Sequence, residues 1–298
     1  MEYKTENRIR AEDIALVLGD GGLAGAISAG FMAEICRNIG VEHFSTIYGY
    51  SVGVYPATYG IANQPDIIEN TWRNHVNGIK LINPFNLFTF GLRPILKLEY
   101  LKKIFQNQVA LLDVKKVFNS KTKTKYALID YNSDKVYFQS PERTNIFKLM
   151  NAACALPIVH GPIRIKKKKY LDPSFVSGEF PGIKEIIEKH DKVVIVINFP
   201  KDYNLTWFRK LSERTIFRVA ALFYPKNLQE IFNKRNKMEF ENKKFIENNT
   251  KVLIYRPNKL PLKSAIDTNK KRINESFEIG IELAKNYCNY YVTKSNQD

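Results

Sequence analysis

One serine between two glycines constrains this chain more than any other feature. Gly49-Tyr50-Ser51-Val52-Gly53 stands between a short apolar run, Phe44–Tyr48, and a helical pattern over Val52–Ala62. G-x-S-x-G in a strand–turn–helix setting permits a turn so sharp that the serine hydroxyl stands at the top of a sheet. The Val52 amide and the positive end of the following helix then face the same point. About 30 residues earlier, Gly19-Asp20-Gly21-Gly22-Leu23-Ala24-Gly25 occupies a similar position. It follows the apolar run Asp13–Gly19 and precedes a helix with Ile27, Phe31, Met32 and Ile35 on one face. Alone it fits the dinucleotide pattern G-x-G-x-x-G/A, but such a site wants an acid at the end of the second strand. That strand ends Ile47-Tyr48-Gly49-Tyr50-Ser51, without one. Ser51 is therefore read as a candidate nucleophile.

The first two thirds of the chain alternate strand and helix, which implies a largely parallel sheet covered on both faces, an α/β fold. Lys125–Asp130 and Lys135–Gln139 read as a hairpin, Glu142–Leu156 as a helix, and Lys192–Phe199 as the clearest buried strand. After Pro200 the chain turns basic. Leu205–Phe223, Lys226–Asn249 and Lys270–Val292 read as helices, with Lys251–Tyr255 as one more strand. The division expected is an N-terminal extension over 1–12, a core over 13–200, and a basic, mainly helical part over 201–298 packed on that core.

A serine nucleophile needs a base. An α/β-hydrolase takes its histidine from late in the chain. Of His43, His75, His160 and His190, only the last follows Ser51 at a suitable distance, and its charged setting reads as a solvated helix end. A base other than histidine is needed. The ordered pair of motifs at 19–25 and 49–53 resembles the start of a patatin-like phospholipase domain. The later segment Ala152–Pro157, then Tyr170-Leu171-Asp172-Pro173-Ser174, then Pro181, is similar to that family's third motif. The resemblance covers about residues 13–200. It implies a three-layer α/β/α sandwich and a Ser51–Asp172 dyad. The oxyanion hole would come from backbone amides of Gly21, Gly22 and Leu23, joined by Val52.

Two positions depart from the family pattern. Ala24 stands where an arginine or lysine is usual, and Pro173 where a glycine usually follows the aspartate. Proline fixes φ near −65° and deletes a donor, so turnover is in question more than fold. The implied reaction is hydrolysis of carboxylic esters of membrane lipids through an acyl-enzyme, with no cofactor and no metal. Asp20 reads as a turn residue bonded to its own backbone, and Tyr50 as a packing residue.

Composition bears on where such a protein would act. The net charge is +16, and the surplus is localised: five basic groups lie in 164–169 and a surplus of 11 in 201–272. Clustered positive charge suits a polyanion, here an anionic membrane surface. Lys166, Lys167, Lys168 and Lys169 are the candidate membrane-binding residues. No RNP-like strand, KH loop or zinc knuckle supports a nucleic-acid partner, and no feature names a protein activator. Ile79–Leu98, apolar but without helical period, reads as an irregular loop on the core or as a lid. The start, MEYKTENRIRAED, is charged where a signal peptide would be apolar. We therefore expect a cytoplasmic protein held peripherally at membranes, with export by a signal-independent route still open. The alternative is an impaired patatin fold that binds anionic lipid or nucleic acid through its basic surface.

Overall fold

Burial of the central strands on both faces sets the architecture. In the computed structural model, residues 12–76, 104, 110–133, 135–156, 161–203 and 224–295 are described. Strand β1 (Ile14–Leu18) is buried along its whole length. Successive side chains of a strand point to opposite faces, so this strand must be covered twice. Ile14, Leu16 and Leu18 join one core cluster, whereas Ala15 and Val17 join another. The first cluster packs against α1 (Ala26–Asn38), α2 (Val54–Ile61) and the C-terminal helix α9 (Lys270–Ser295). The second packs against α7 (Ile183–Lys189) and Ile246 of the long helix α8 (Lys226–Glu247). The result is the three-layer α/β/α sandwich that the sequence implies.

Among the described residues eight strands form the sheet, in the order β5-β6-β3-β2-β1-β7-β8, with β4 on β3 off that path. Strand β2 (Thr46–Gly49) lies parallel to β1, β3 (Lys123–Asp130) parallel to β2, and β7 (Lys192–Val196) parallel to β1 on its other side. β8 (Val252–Tyr255) extends the same sheet beside β7, so the basic C-terminal part contributes both a strand and helices to the core. β4 (Val136–Gln139), β5 (Ile163–Ile165) and β6 (Lys168–Leu171) are the antiparallel strands. The expected hairpin of β3 and β4 is present. The helix expected over Glu142–Leu156 is shorter, α5 over Ile146–Ala153, because Asn145 and Glu142 bond each other to make the turn before it. Short helices α3 (Pro65–Asn70), α4 (Val114–Asn119) and α6 (Pro173–Ser177) complete the described elements used below. The loop or lid expected at 79–98 and the helix expected at 205–223 fall outside the described residues.

Parallel strands β1, β2 and β7 all end at the same edge. That edge carries both glycine motifs, since Gly19–Gly25 follows β1 and Ser51 follows β2. A crevice at the carboxyl ends of parallel strands is where open α/β sheets bind ligands.

Candidate active site

Ser51 has φ +48°, in the left-handed region that side chains rarely occupy. Such a conformation costs roughly 1–2 kcal/mol for a residue with a Cβ, so surrounding contacts must hold it. The Tyr50 amide donates to the Leu18 carbonyl at 3.0 Å and the Gly53 amide to the Tyr50 carbonyl at 2.8 Å. Both glycines are needed on steric grounds. A Cβ at Gly53 would lie 2.4 Å from the Leu18 oxygen, and one at Gly49 would lie 2.6 Å from the Val54 Cα. The elbow is thus pressed directly against the end of β1. Tyr50 is fully buried and its hydroxyl donates to the Pro181 carbonyl at 3.0 Å, as a packing residue would.

Asp172 follows β6 and is 1% exposed. Its amide donates to the Ala155 carbonyl at 3.0 Å, and its Oδ1 accepts from the Ser174 amide at 3.0 Å, capping α6. Pro173 is the first residue of that helix. Proline suits this position, because the N–H it lacks would have no partner within the helix. Asp172 has φ −65° and ψ 118°, the extended backbone that a following proline favours. The departure from glycine therefore leaves the aspartate's position intact.

A buried thiol senses both residues. Burial first, and then the nearby Asp172 carboxylate, push the Cys154 thiol well above its usual range; hydrogen bonds with Tyr55 and Ser51 oppose that rise. Ser51 and Asp172, on different elements, thus both act on one sulfur just past the end of α5. Tyr55 extends the network, donating to Asn151 Oδ1 at 3.2 Å.

The loop after β1 wraps the same site. Gly21 and Gly22 have φ +127° and +57°. The Gly21 carbonyl accepts from the Ala24 amide at 3.1 Å. The Leu23 amide does not face open space: it donates to the Ala265 carbonyl at 2.7 Å. Ala24 is fully buried in the core beneath, which leaves a long cationic side chain no room there. Asn198, just past β7, is 1% exposed and donates to both the Gly19 and Asp20 carbonyls. Sequence reasoning passed over Asn198, although a lone amide closing the apolar run Val193–Ile197 was a visible signal.

Two sequence readings need correction. Asp20 faces other acids rather than serving as a simple turn residue. Desolvation, then the charges of Glu179 and Asp172, push its pKa up to about 8, with Ser174 opposing and Glu239 adding to the rise. His190 is not solvated. It is 3% exposed, shares a hydrogen bond with the Tyr48 hydroxyl through Nε2 at 3.0 Å, and pairs with Asp13 through Nδ1 at 3.0 Å. It precedes β7, at the sheet edge opposite Ser51, and the strand rise sets the edges on the order of 15 Å apart. A structural histidine results.

The lysine run forms the tip of the β5–β6 hairpin. Leu171 pairs with Ile129 and Tyr170 with Asp130, so residues 166–169 extend past the end of β3, at the same edge of the sheet as Ser51. Lys166 pairs with Glu142 and Lys168 with Asp130, each at 3.2 Å. Lys169 sits over the Tyr131 ring at 5.3 Å. Among the described residues, no helix is long and apolar enough to cross a membrane, and no cluster of three His, Cys, Asp or Glu is placed to hold a metal.

Neither a protein-family model nor a curated protein matches this sequence. Among solved structures, VipD from Legionella pneumophila is similar: the match covers 94% of this chain and 67% of that one, with a TM-score of 0.50 and 9% identity. The likeness is one of fold.

The Asp20 environment gives a pH prediction. Below the unfolded carboxyl value near 4, both states hold the proton. Between about 4 and 8 the folded chain keeps a proton that the unfolded chain releases. Stability therefore falls as pH rises through that window. Asp20→Asn should stabilise the protein by at least ~1 kcal/mol at pH 8 and by little at pH 4. Urea unfolding of both proteins across this range measures it, and an equal gain at both ends would contradict the placement.

Proposed function

We propose that the protein is a lipid acyl hydrolase, cleaving carboxylic esters of membrane lipids through Ser51 and Asp172. The observation that carries this reading is the strained elbow at Ser51, held at φ +48° at the carboxyl edge of the sheet, with the buried Asp172 near enough to act on the same thiol that Ser51 bonds. Backbone strain of this kind is retained where the surrounding structure over-determines it, often at reacting centres. The likeness of fold to VipD is compatible with it.

In the reaction, the Asp172 carboxylate accepts the Ser51 proton as Oγ attacks the ester carbonyl carbon. The carbonyl π electrons move to oxygen, and the resulting oxyanion collapses to expel the alcohol, which takes the proton back from Asp172. Water then repeats the sequence on the acyl-enzyme, giving up its proton to Asp172 and releasing the acid and Ser51. We assign the oxyanion donors to the amides of Gly21, Gly22 and Val52. Leu23 joins them only when its bond to Ala265 is released. One such donor is worth about 3–4 kcal/mol in the transition state. A neutral Asp20 suits the mechanism below pH 8, since a second charge there would disfavour the negative Asp172.

The dyad is tested by kinetics on a soluble short-chain ester. Ser51→Ala should abolish hydrolysis, and Asp172→Asn should lower kcat by roughly a thousandfold, the middle of the range for general-base removal. His190→Ala should leave the catalytic constants of the folded enzyme near wild type. A severe His190 effect on kcat with the fold intact would replace the dyad by a triad.

The hairpin lysines supply the proposed membrane contact, together with the basic C-terminal surface. Two of the four are matched by carboxylates, which weakens the run as a membrane patch. Replacing Lys166–Lys169 with glutamine should reduce binding to acidic vesicles on the order of tenfold at physiological salt. Activity on the soluble ester should be retained. Equal loss on both substrates would show that the run supports the catalytic loop, and tighter binding of RNA than of acidic vesicles at matched salt would refute the membrane assignment.

A further inference from the structure

Asn198 uses all of its hydrogen-bonding capacity on the loop after β1 and on the helix that follows it. Its Nδ2 donates to the Gly19 carbonyl at 2.9 Å and to the Asp20 carbonyl at 2.7 Å. Its Oδ1 accepts from the Ser28 amide at 3.0 Å and from the Ser28 hydroxyl at 2.8 Å. Ser28 lies in α1 and is fully buried. The amide can sit only one way round, because the reverse would set its oxygen against two carbonyls and its NH2 against two donors. A buried amide with both donors and both acceptor positions satisfied is rigid, and leaving any one partner unmatched is costly.

We infer that Asn198 is a positioning residue for the oxyanion loop, aiming the Gly21 amide at the Ser51 side of the site. The argument follows from the peptide unit. In a trans peptide the carbonyl and the next N–H point in opposite directions. Fixing the Asp20 carbonyl on Asn198 therefore turns the Gly21 N–H away from Asn198. Fixing the Gly19 carbonyl does the same for the Asp20 N–H. The positive φ of Gly21 and Gly22 lets the chain leave this double anchor without strain. Asn198 itself is set by the strand pairing, since β7 lies beside β1 in parallel register up to Leu18 and Val196, and the Gly19 amide donates to the Val196 carbonyl at 3.0 Å. The same strand that packs the core thereby orients the donors. This role rests on the reading of residues 19–25 as an oxyanion loop.

The test uses Asn198→Asp, Asn198→Ala and the milder Ser28→Ala. Asn198→Asp keeps the two Ser28 bonds but sets a carboxylate against the Gly19 and Asp20 carbonyls. In Asn198→Asp and Asn198→Ala, kcat on a soluble short-chain ester should fall about 100-fold or more, the size of losing one oxyanion donor. KM should stay within about threefold, because an oxyanion contact acts only in the transition state. Affinity for a trifluoromethyl ketone, which forms an oxyanion on the serine, should fall in parallel with kcat/KM. Ser28→Ala should show the same pattern at roughly three- to tenfold, and remains informative if either Asn198 variant does not fold. A rise in KM alone, or wild-type kcat in folded variants, would overturn the role. Should the wild-type protein show no Ser51-dependent hydrolysis, the functional reading fails separately. The loop claim is then read from 15N-glycine spectra: Gly21 and Gly22 resonances should shift or broaden in Asn198→Asp, and unchanged resonances would overturn it.

Discussion

The left-handed backbone at Ser51 depends on the close approach of β2's end to β1. Gly53 lies against the Leu18 carbonyl and Gly49 against Val54, at distances that no side chain tolerates. Those contacts exist because β1 and β2 run parallel in register from Ala15 and Thr46 to Leu18 and Gly49. The register in turn is enforced by two core clusters that divide the strand residues between the faces of the sheet. A slip of one residue would move every buried side chain to the wrong face. Core packing and the geometry of the reacting serine are therefore one constraint.

Gathering acids at that edge of the sheet carries an electrostatic cost, and the long helix α8 offsets part of it. Asp172, Asp20 and Glu179 lie close enough to influence one another. Lys243 of α8 pairs with Glu179 at 3.2 Å and with Glu239 at 2.8 Å. Asn242, next to it, donates to the Glu179 and Phe180 carbonyls. Lys243 is itself exposed, so solvent screens these pairs and each contributes at most about 1 kcal/mol. The positive surplus after residue 201 thus has an inward component: part of it steadies the loop that follows the Asp172 helix. Only the remainder is available to an external polyanion.

Much of the fold was legible in the sequence because apolar runs such as Asp13–Gly19 and Lys192–Phe199 hold the strands β1 and β7, buried over nearly all of their length, with clear turn residues at their flanks. Ser51 was legible because an elbow needs glycines at fixed offsets. Asp172 was reached only through the resemblance, since an aspartate at a strand end has many uses. What stayed hidden depends on partners far along the chain. Asn198 meets Ser28 across 170 residues, and the Leu23 amide finds the Ala265 carbonyl in a segment with no motif. His190 looked solvated because its neighbours Lys189 and Asp191 are charged, but the ring is closed in by Tyr48 and Asp13. Asp20 looked like a loop acid because Glu179 and Asp172 come close only in three dimensions. Sequence patterns report local periodicity; burial of a polar group is a property of the assembled core.

The most direct measurement on the central claim is covalent labelling of the native protein with a fluorophosphonate, followed by peptide mass spectrometry. Such a reagent phosphonylates an activated serine with loss of fluoride. The account predicts one adduct, on the peptide that carries Ser51. An adduct on a different serine, or no adduct on protein whose fold is intact, would contradict it.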